Sequence, residues 1–148
     1  MNITGSTSTV RKEANAASFF YASILIPKLH YNITVDINFK RGFKRTTGLL
    51  GCCEYEDDDY EKPKTYNISI ESAQPKEDLI LTLAHEFVHV KQYRTGELRD
   101  YLKEGLTHCR WQGNRFCFSK LEYWDYPWEI EAYGKERGLY CRFLEKYK

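Results

Sequence analysis

Residues 75–96 read PKEDLILTLAHEFVHVKQYRTG, and the organisation of the chain follows from this segment. Pro75 stands where a first helical turn accepts proline and Gly96 where a helix stops, so the spacing predicts one helix of about five turns. At 100° per residue, Leu79, Ile80, Leu83, Phe87 and Val90 fall in one stripe, which is the core face. His85 and His89 fall on the opposite side of the cylinder. That side is not a plain solvated face, because Leu81 and Val88 flank the histidines and Thr82 and Gln92 sit among them. A helix apolar over most of its circumference is covered on both sides, so the histidines are expected to line an interior cleft.

Histidines four apart on a helix point the same way, and His85-Glu86-Phe87-Val88-His89 is an H-E-x-x-H pattern inside a helical segment. Two imidazoles so placed can hold one zinc ion, while Glu86 is displaced around the helix toward the open side of the metal, where it can act on water. A catalytic zinc takes three protein ligands, and Glu129, Glu131 and His108 compete for the third place. Residues 127–147 have apolar groups at helical spacing, opened by Pro127. Their wheel sets Glu129 in line with Tyr140, Phe143 and Leu144, and Glu131 with Lys135, Arg142 and Glu145. Glu129 therefore faces inward and Glu131 outward. An inward carboxylate needs a cation or a metal, which selects Glu129. His108 stays in competition as a ligand or a transition-state donor. Tyr123, Tyr126 and Tyr133 are phenols that could serve the same donor role, with packing as their default. Glu136, two turns on from Glu129, is placed to orient a zinc-bound histidine or to pair with a cation.

Working outward, residues 13–26 are rich in Ala and large apolar groups and end at Pro27, a first helix. Residues 1–12 are expected to be flexible. The run FFYASILI at 19–26 is too short to span a bilayer and lacks a small-residue cleavage site, so no membrane role is expected. Residues 31–39 alternate apolar and polar at every step, a strand with one buried face. A second strand is expected over 47–55, running into the acidic stretch 54–61. That stretch reads as a solvated loop, since the Asp/Gly spacing of a calcium loop is missing. A third strand spans Tyr66, Asn67, Ile68, Ser69 and Ile70. Residues 98–107 read as irregular, and 109–118 as a hairpin turning at Gly113-Asn114.

The 148 residues suit one domain, with 12 Tyr, 8 Phe and 3 Trp to build a core. Lys+Arg at 22 against Asp+Glu at 21 gives a formal charge of +1, so no global field draws in nucleic acid or an anionic membrane. Only scattered cations such as Arg41, Lys44 and Arg45 hint at a DNA surface, and solvated loop charges account for them. Five cysteines with no C-x-x-C pair read as reduced thiols in a cytoplasm, where the sequons at Asn2, Asn32 and Asn67 carry no glycan.

The H-E-x-x-H motif followed by Glu129-x-x-Ala132 resembles the zincin-like metallopeptidases of the gluzincin kind, including relatives of the ImmA/IrrE peptidases. Their E-x-x-A-[DN] signature has Asp or Asn where this chain has Tyr133, so another group, such as Glu136, must hold the histidine. More closely, HEFVHVKQ at 85–92, RWQG at 110–113 and PWEIEAY at 127–133 resemble small SprT-like metallopeptidases of phages, a likeness covering roughly the second half of the chain. The resemblance implies an α+β zincin-like single domain. Its order is an N-terminal helix, a small twisted sheet of about three strands, the active-site helix, a hairpin and a C-terminal helix. It also implies a peptide substrate laid along an edge strand, here Tyr66 to Ile70, and a cytoplasmic protein, in the host cytoplasm if viral. The expected function is zinc-dependent hydrolysis of protein or peptide bonds, with His85, His89 and Glu129 on one zinc ion and Glu86 as general base. The alternatives are a zinc-stabilised, non-catalytic binding module of phage type and a DNA-associated SprT-like protease.

Overall fold

A computed structural model describes residues 1–57 and 61–147. Those residues form an α+β fold of four α-helices and two sheets. The first half runs β1 (Asn2–Thr4), α1 (Ser8–Leu25), β2 (Thr34–Lys40), α2 (Phe43–Thr47), β3 (Gly51–Tyr55) and β4 (Thr65–Glu71). The second half runs α3 (Lys76–Arg94), β5 (Leu98–Lys103), β6 (Leu106–Trp111), β7 (Asn114–Cys117) and α4 (Pro127–Tyr147). No helix is long and apolar enough to cross a membrane among the described residues.

The first sheet has the order β1-β2-β4-β3. Alternation in β2 buries Val35, Ile37 and Phe39, and their parallel partners in β4 are Tyr66, Ile68 and Ile70. Six large side chains thus lie in facing pairs on one surface, where α1 and α3 cover them. Helix α1 begins with Thr7, whose hydroxyl accepts from the Val10 amide, and contributes Ala17, Phe20 and Tyr21 to that core. Tyr21 closes the layer by donating its hydroxyl to the Ile80 carbonyl of α3.

Several expectations need correction. Residues 1–12 hold β1 and the first turn of α1 rather than a loose tail. Asn2 and Thr4 hydrogen-bond Asp36 and Asn38 on β2, and Gly5, at φ +75°, packs where a Cβ would overlap the Phe39 carbonyl. The strand expected over 47–55 is present but begins only at Gly51, because Thr47 is the last residue of a short helix, α2, which Gly48 closes. Most importantly, Tyr66 to Ile70 is not an edge. It is paired on both sides, with β2 and with β3, so the open strand beside the histidine helix is β3.

Residues 98–107 are not irregular either. They form β5 and the start of β6, joined by a two-residue turn at Glu104-Gly105, where both φ angles are positive (54° and 76°). The following hairpin turns at Gln112-Gly113, one residue earlier than expected, again with two positive φ angles. Both turns have the type I′ geometry that matches strand twist. This second sheet, β5-β6-β7, builds a smaller core of Leu98, Cys109, Trp111 and Trp128, which seats the first turn of α4. The acidic stretch 54–61, expected to be a solvated loop, lies outside the described residues at 58–60. All five cysteines are free.

Candidate metal centre

Helix α3 buries Leu79, Ile80, Leu83, Phe87 and Val90 on its core side and also buries His85, Glu86, Val88, His89 and Gln92: α4 crosses the side that carries His85, His89 and Gln92, and Gly51 of β3 lies against Glu86. That crossing brings Glu129, at the start of α4, up to both histidines. The Nε2 atoms of His85 and His89 are 3.2 Å apart. Glu129 lies with Oε2 at 3.2 Å from the first and Oε1 at 3.4 Å from the second. Donor atoms bound to one tetrahedral zinc at about 2.0–2.1 Å stand roughly 3.3 Å from one another, so the three side chains fit such an ion without rearrangement. His85, His89 and Glu129 form the one group of metal-ligating side chains of this kind among the described residues.

The outer hydrogen bonds fix which ring nitrogens face the centre. His85 Nδ1 lies 2.8 Å from Glu136 Oε2, and an ionised carboxylate only accepts, so Nδ1 carries the proton. His89 Nδ1 lies 2.8 Å from Gln92 Oε1. The Gln92 amide is held in that orientation because its Nε2 donates to the Trp128 carbonyl and to Glu131 Oε2, each at 2.9 Å. Lys91 in turn donates to Glu131 at 2.8 Å. Both Nε2 atoms therefore point inward with the carboxylate, and three electron-pair donors at this spacing repel unless a positive charge sits among them.

The titration behaviour reflects the same demand for positive charge. Burial disfavours a charged His85, yet hydrogen bonds to Glu129 and Glu136 outweigh it and hold the ring up at about 10. His89 is also raised, burial again being overcome by its bond to Glu129. Burial would raise Glu129, but His85 and His89 pull it well below the usual carboxylate range. Glu86 behaves oppositely: burial raises it despite the two histidines beside it. A buried carboxylate of raised proton affinity next to a cation site is suited to general-base work.

Glu86 opens onto a groove of about 510 Å³. One wall is the loop into β3, with Leu49, Leu50 and Gly51; the other is Tyr123, Trp124 and Tyr133. The loop into β3 is tied to the end of β4 by the Glu71 amide, which donates to the Leu50 carbonyl, while the Glu71 carboxylate accepts from the amides of Ala73, Lys44 and Gly42. Those amide bonds keep Glu71 ionised, its carboxyl lowered. Gly51 lies so close to Glu86 that a Cβ there would overlap the carboxylate.

The remaining sequence candidates separate clearly. Glu131 does not face outward as expected; it lies against α3 and acts on His89 through Gln92. His108 lies on β6, its ring stacked on Tyr101, and is not part of the histidine cluster. Tyr123 donates its hydroxyl to Glu129 Oε2 at 2.8 Å, and Tyr133 places its ring 4.5 Å from that of His85. Tyr126 stacks on Trp128 and donates to the Phe118 carbonyl, a packing role. Asn67 and Ser69 of β4 sit in the sheet between two neighbours. Periodicity places Gln92 among the histidines but assigns it no task; its signal is a polar residue three positions after His89, where it meets the ring. Nothing in the sequence marked Gly51.

Comparison with protein-family models, with curated proteins and with solved structures finds no match to this chain.

Proposed function

We propose that this protein is a zinc-dependent metallopeptidase of zincin-like arrangement, akin to the small SprT-like enzymes, acting on protein or peptide substrates. The observation that carries this reading is the triangle of His85 Nε2, His89 Nε2 and the Glu129 carboxylate, with edges of 3.2, 3.2 and 3.4 Å, each imidazole fixed from outside.

Zinc held by these three side chains would supply a Lewis acid for a carbonyl and a bound water whose pKa falls toward about 7. Glu86, buried and of raised proton affinity, takes the proton of the attacking water and later passes it to the leaving amine. Glu136 and Gln92 keep both rings in the tautomer that faces the centre. Tyr123 holds the Glu129 carboxylate from the groove side, and its neighbour Tyr133 shields the His85 ring. The outer edge of β3, beside Glu86, is the strand on which an extended peptide can add by backbone pairing. A groove at the general base favours catalysis over a binding module that only folds around its metal.

The test is turnover by the zinc-loaded chain on a mixed peptide library, read by mass spectrometry, beside Glu86→Gln. The reading expects new termini from the wild type and none from the variant, with zinc retained in both. Equal cleavage by the variant would refute the role given to Glu86.

A further inference from the structure

The second sheet carries a feature that the metal centre does not use. Arg99 on β5 stands directly opposite Arg110 on β6, which stands directly opposite Arg115 on β7. Like charges facing one another across strands destabilise a sheet, so three in register are not explained by the fold. Two residues along the same face, Tyr101 and His108 form the next cross-strand pair, their rings stacked at 5.6 Å, and Lys103 follows on β5. The opposite face holds Leu98, Cys109 and Trp111, packed into the smaller core, and Asp100, which accepts from the Tyr93 hydroxyl.

These cations border a concavity of about 820 Å³ lined by Tyr55, Arg99, Tyr101, Lys103, Arg110 and Arg115, with Leu102, Thr107 and Asp100 completing it, the Asp100 carboxylate being engaged by the Tyr93 hydroxyl. None of its lining residues belongs to the groove at Glu86. Among the described residues, Arg110 and Arg115 have no carboxylate partner, whereas Arg99 pairs with Glu61. That pair shows the chemistry the row accepts. It is a carboxylate, and Glu61 comes from a segment, 54–61, that reads EYEDDDYE.

We propose that this face of the second sheet is a docking site for an acidic polypeptide segment, a short run of Asp and Glu presented by a partner protein. Guanidinium groups pair with carboxylates through two parallel hydrogen bonds, and three strands at about 4.8 Å spacing span roughly 10 Å, the length of about three extended residues. A nucleic acid would use a longer cationic track, and the chain's formal charge of +1 provides no wider field for one. The apolar part of the concavity, at Tyr55 and Tyr101, suits a segment that interleaves an apolar side chain with its acids.

The experiment is fluorescence anisotropy of the full chain with a labelled oligo-glutamate peptide and, separately, a labelled oligothymidylate of the same charge. Two variants accompany it: Arg115→Gln, at an exposed position of an edge strand, and Arg110→Gln with Arg115→Gln. Far-UV circular dichroism shows that each is folded. The site predicts saturable peptide binding that weakens with salt, falls about tenfold in the single variant, falls further in the double one, and exceeds oligothymidylate binding. Failure to bind the peptide, binding unchanged by the substitutions, or tighter binding of the oligothymidylate would each overturn it. The outcome does not depend on zinc or on peptidase activity.

Discussion

His89 Nδ1 and Gln92 Oε1 lie 2.8 Å apart within one turn of α3, and the far side of the same amide is fixed by Trp128 and Glu131 of α4. The chain Lys91, Glu131, Gln92, His89 therefore ties the orientation of one imidazole to the packing of two helices. Gln92→Leu keeps the volume and removes the acceptor. Zinc affinity, measured by competition with a chromophoric chelator, is expected to fall about 10–100-fold, the usual effect of losing such a partner. An unchanged affinity would show that the amide has no part in holding the ring.

The zinc-free chain should lose stability as pH rises through the neutral range. His85 has a folded pKa of about 10 against an ordinary 6.5, so its contribution is complete below about 6.5 and disappears as pH climbs toward 10. Glu129, lowered from 4.5, works the other way, and its contribution fades as pH drops below that value. Chemical denaturation of the metal-free protein should thus give a maximum between these limits. Zinc bound at His85 Nε2 would displace the proton held there, so its affinity should rise with pH over the same window. A flat pH profile for the metal-free chain would contradict the network described.

Gly51→Ala places a methyl group against the Glu86 carboxylate and the Thr82 side chain. Overpacking of this kind costs about 1–3 kcal/mol, and the carboxylate must shift to relieve it. The expected result is a lower melting temperature together with reduced turnover, while zinc binding holds because no ligand touches Gly51. Thermal denaturation and a zinc titration on the same sample separate the two effects.

Tyr123→Phe removes the hydroxyl that donates to Glu129 while leaving the ring in the wall of the groove. Glu129 keeps its two histidine neighbours, so a modest weakening of zinc, severalfold at most, is expected on the chelator assay. This bond is solvent-exposed, so it is expected to contribute about 1 kcal/mol, which is a severalfold change and lies below the about 1.5–3 kcal/mol of stronger hydrogen bonds to charged groups. A complete loss of metal would make Tyr123 a ligand rather than a support.

The sequence disclosed the parts of the fold that repeat a strong period over many residues. The helix at 76–94 and the buried faces of β2 and β4 are legible because their apolar positions recur without interruption. Strand β5 was hidden: Arg99, Asp100, Tyr101, Leu102 and Lys103 show no alternation of polarity, since one face carries cations and the other a satisfied Asp100. Its turn was hidden too, because Glu104 adopts a positive φ that glutamate seldom takes. Strand order is not a periodic property. β4 follows β3 in the chain yet lies between β2 and β3 in the sheet, so the wrong strand was expected to be the edge. The wheel turned Glu129 inward, where it stands beside both histidines. It turned Glu131 outward because a wheel knows only its own helix, whereas the first turns of α4 meet α3 on a broad front and enclose both carboxylates.

The claim on which the rest depends is that His85, His89 and Glu129 hold one zinc ion. The direct measurement is isothermal titration of the metal-free chain with zinc, beside Glu129→Ala, with X-ray absorption of the loaded protein. The account predicts one zinc per chain, a first shell of two imidazole nitrogens and oxygen donors, and a large loss of affinity in the variant. Failure to take up one equivalent of zinc, or an unchanged shell and affinity in Glu129→Ala, would contradict it.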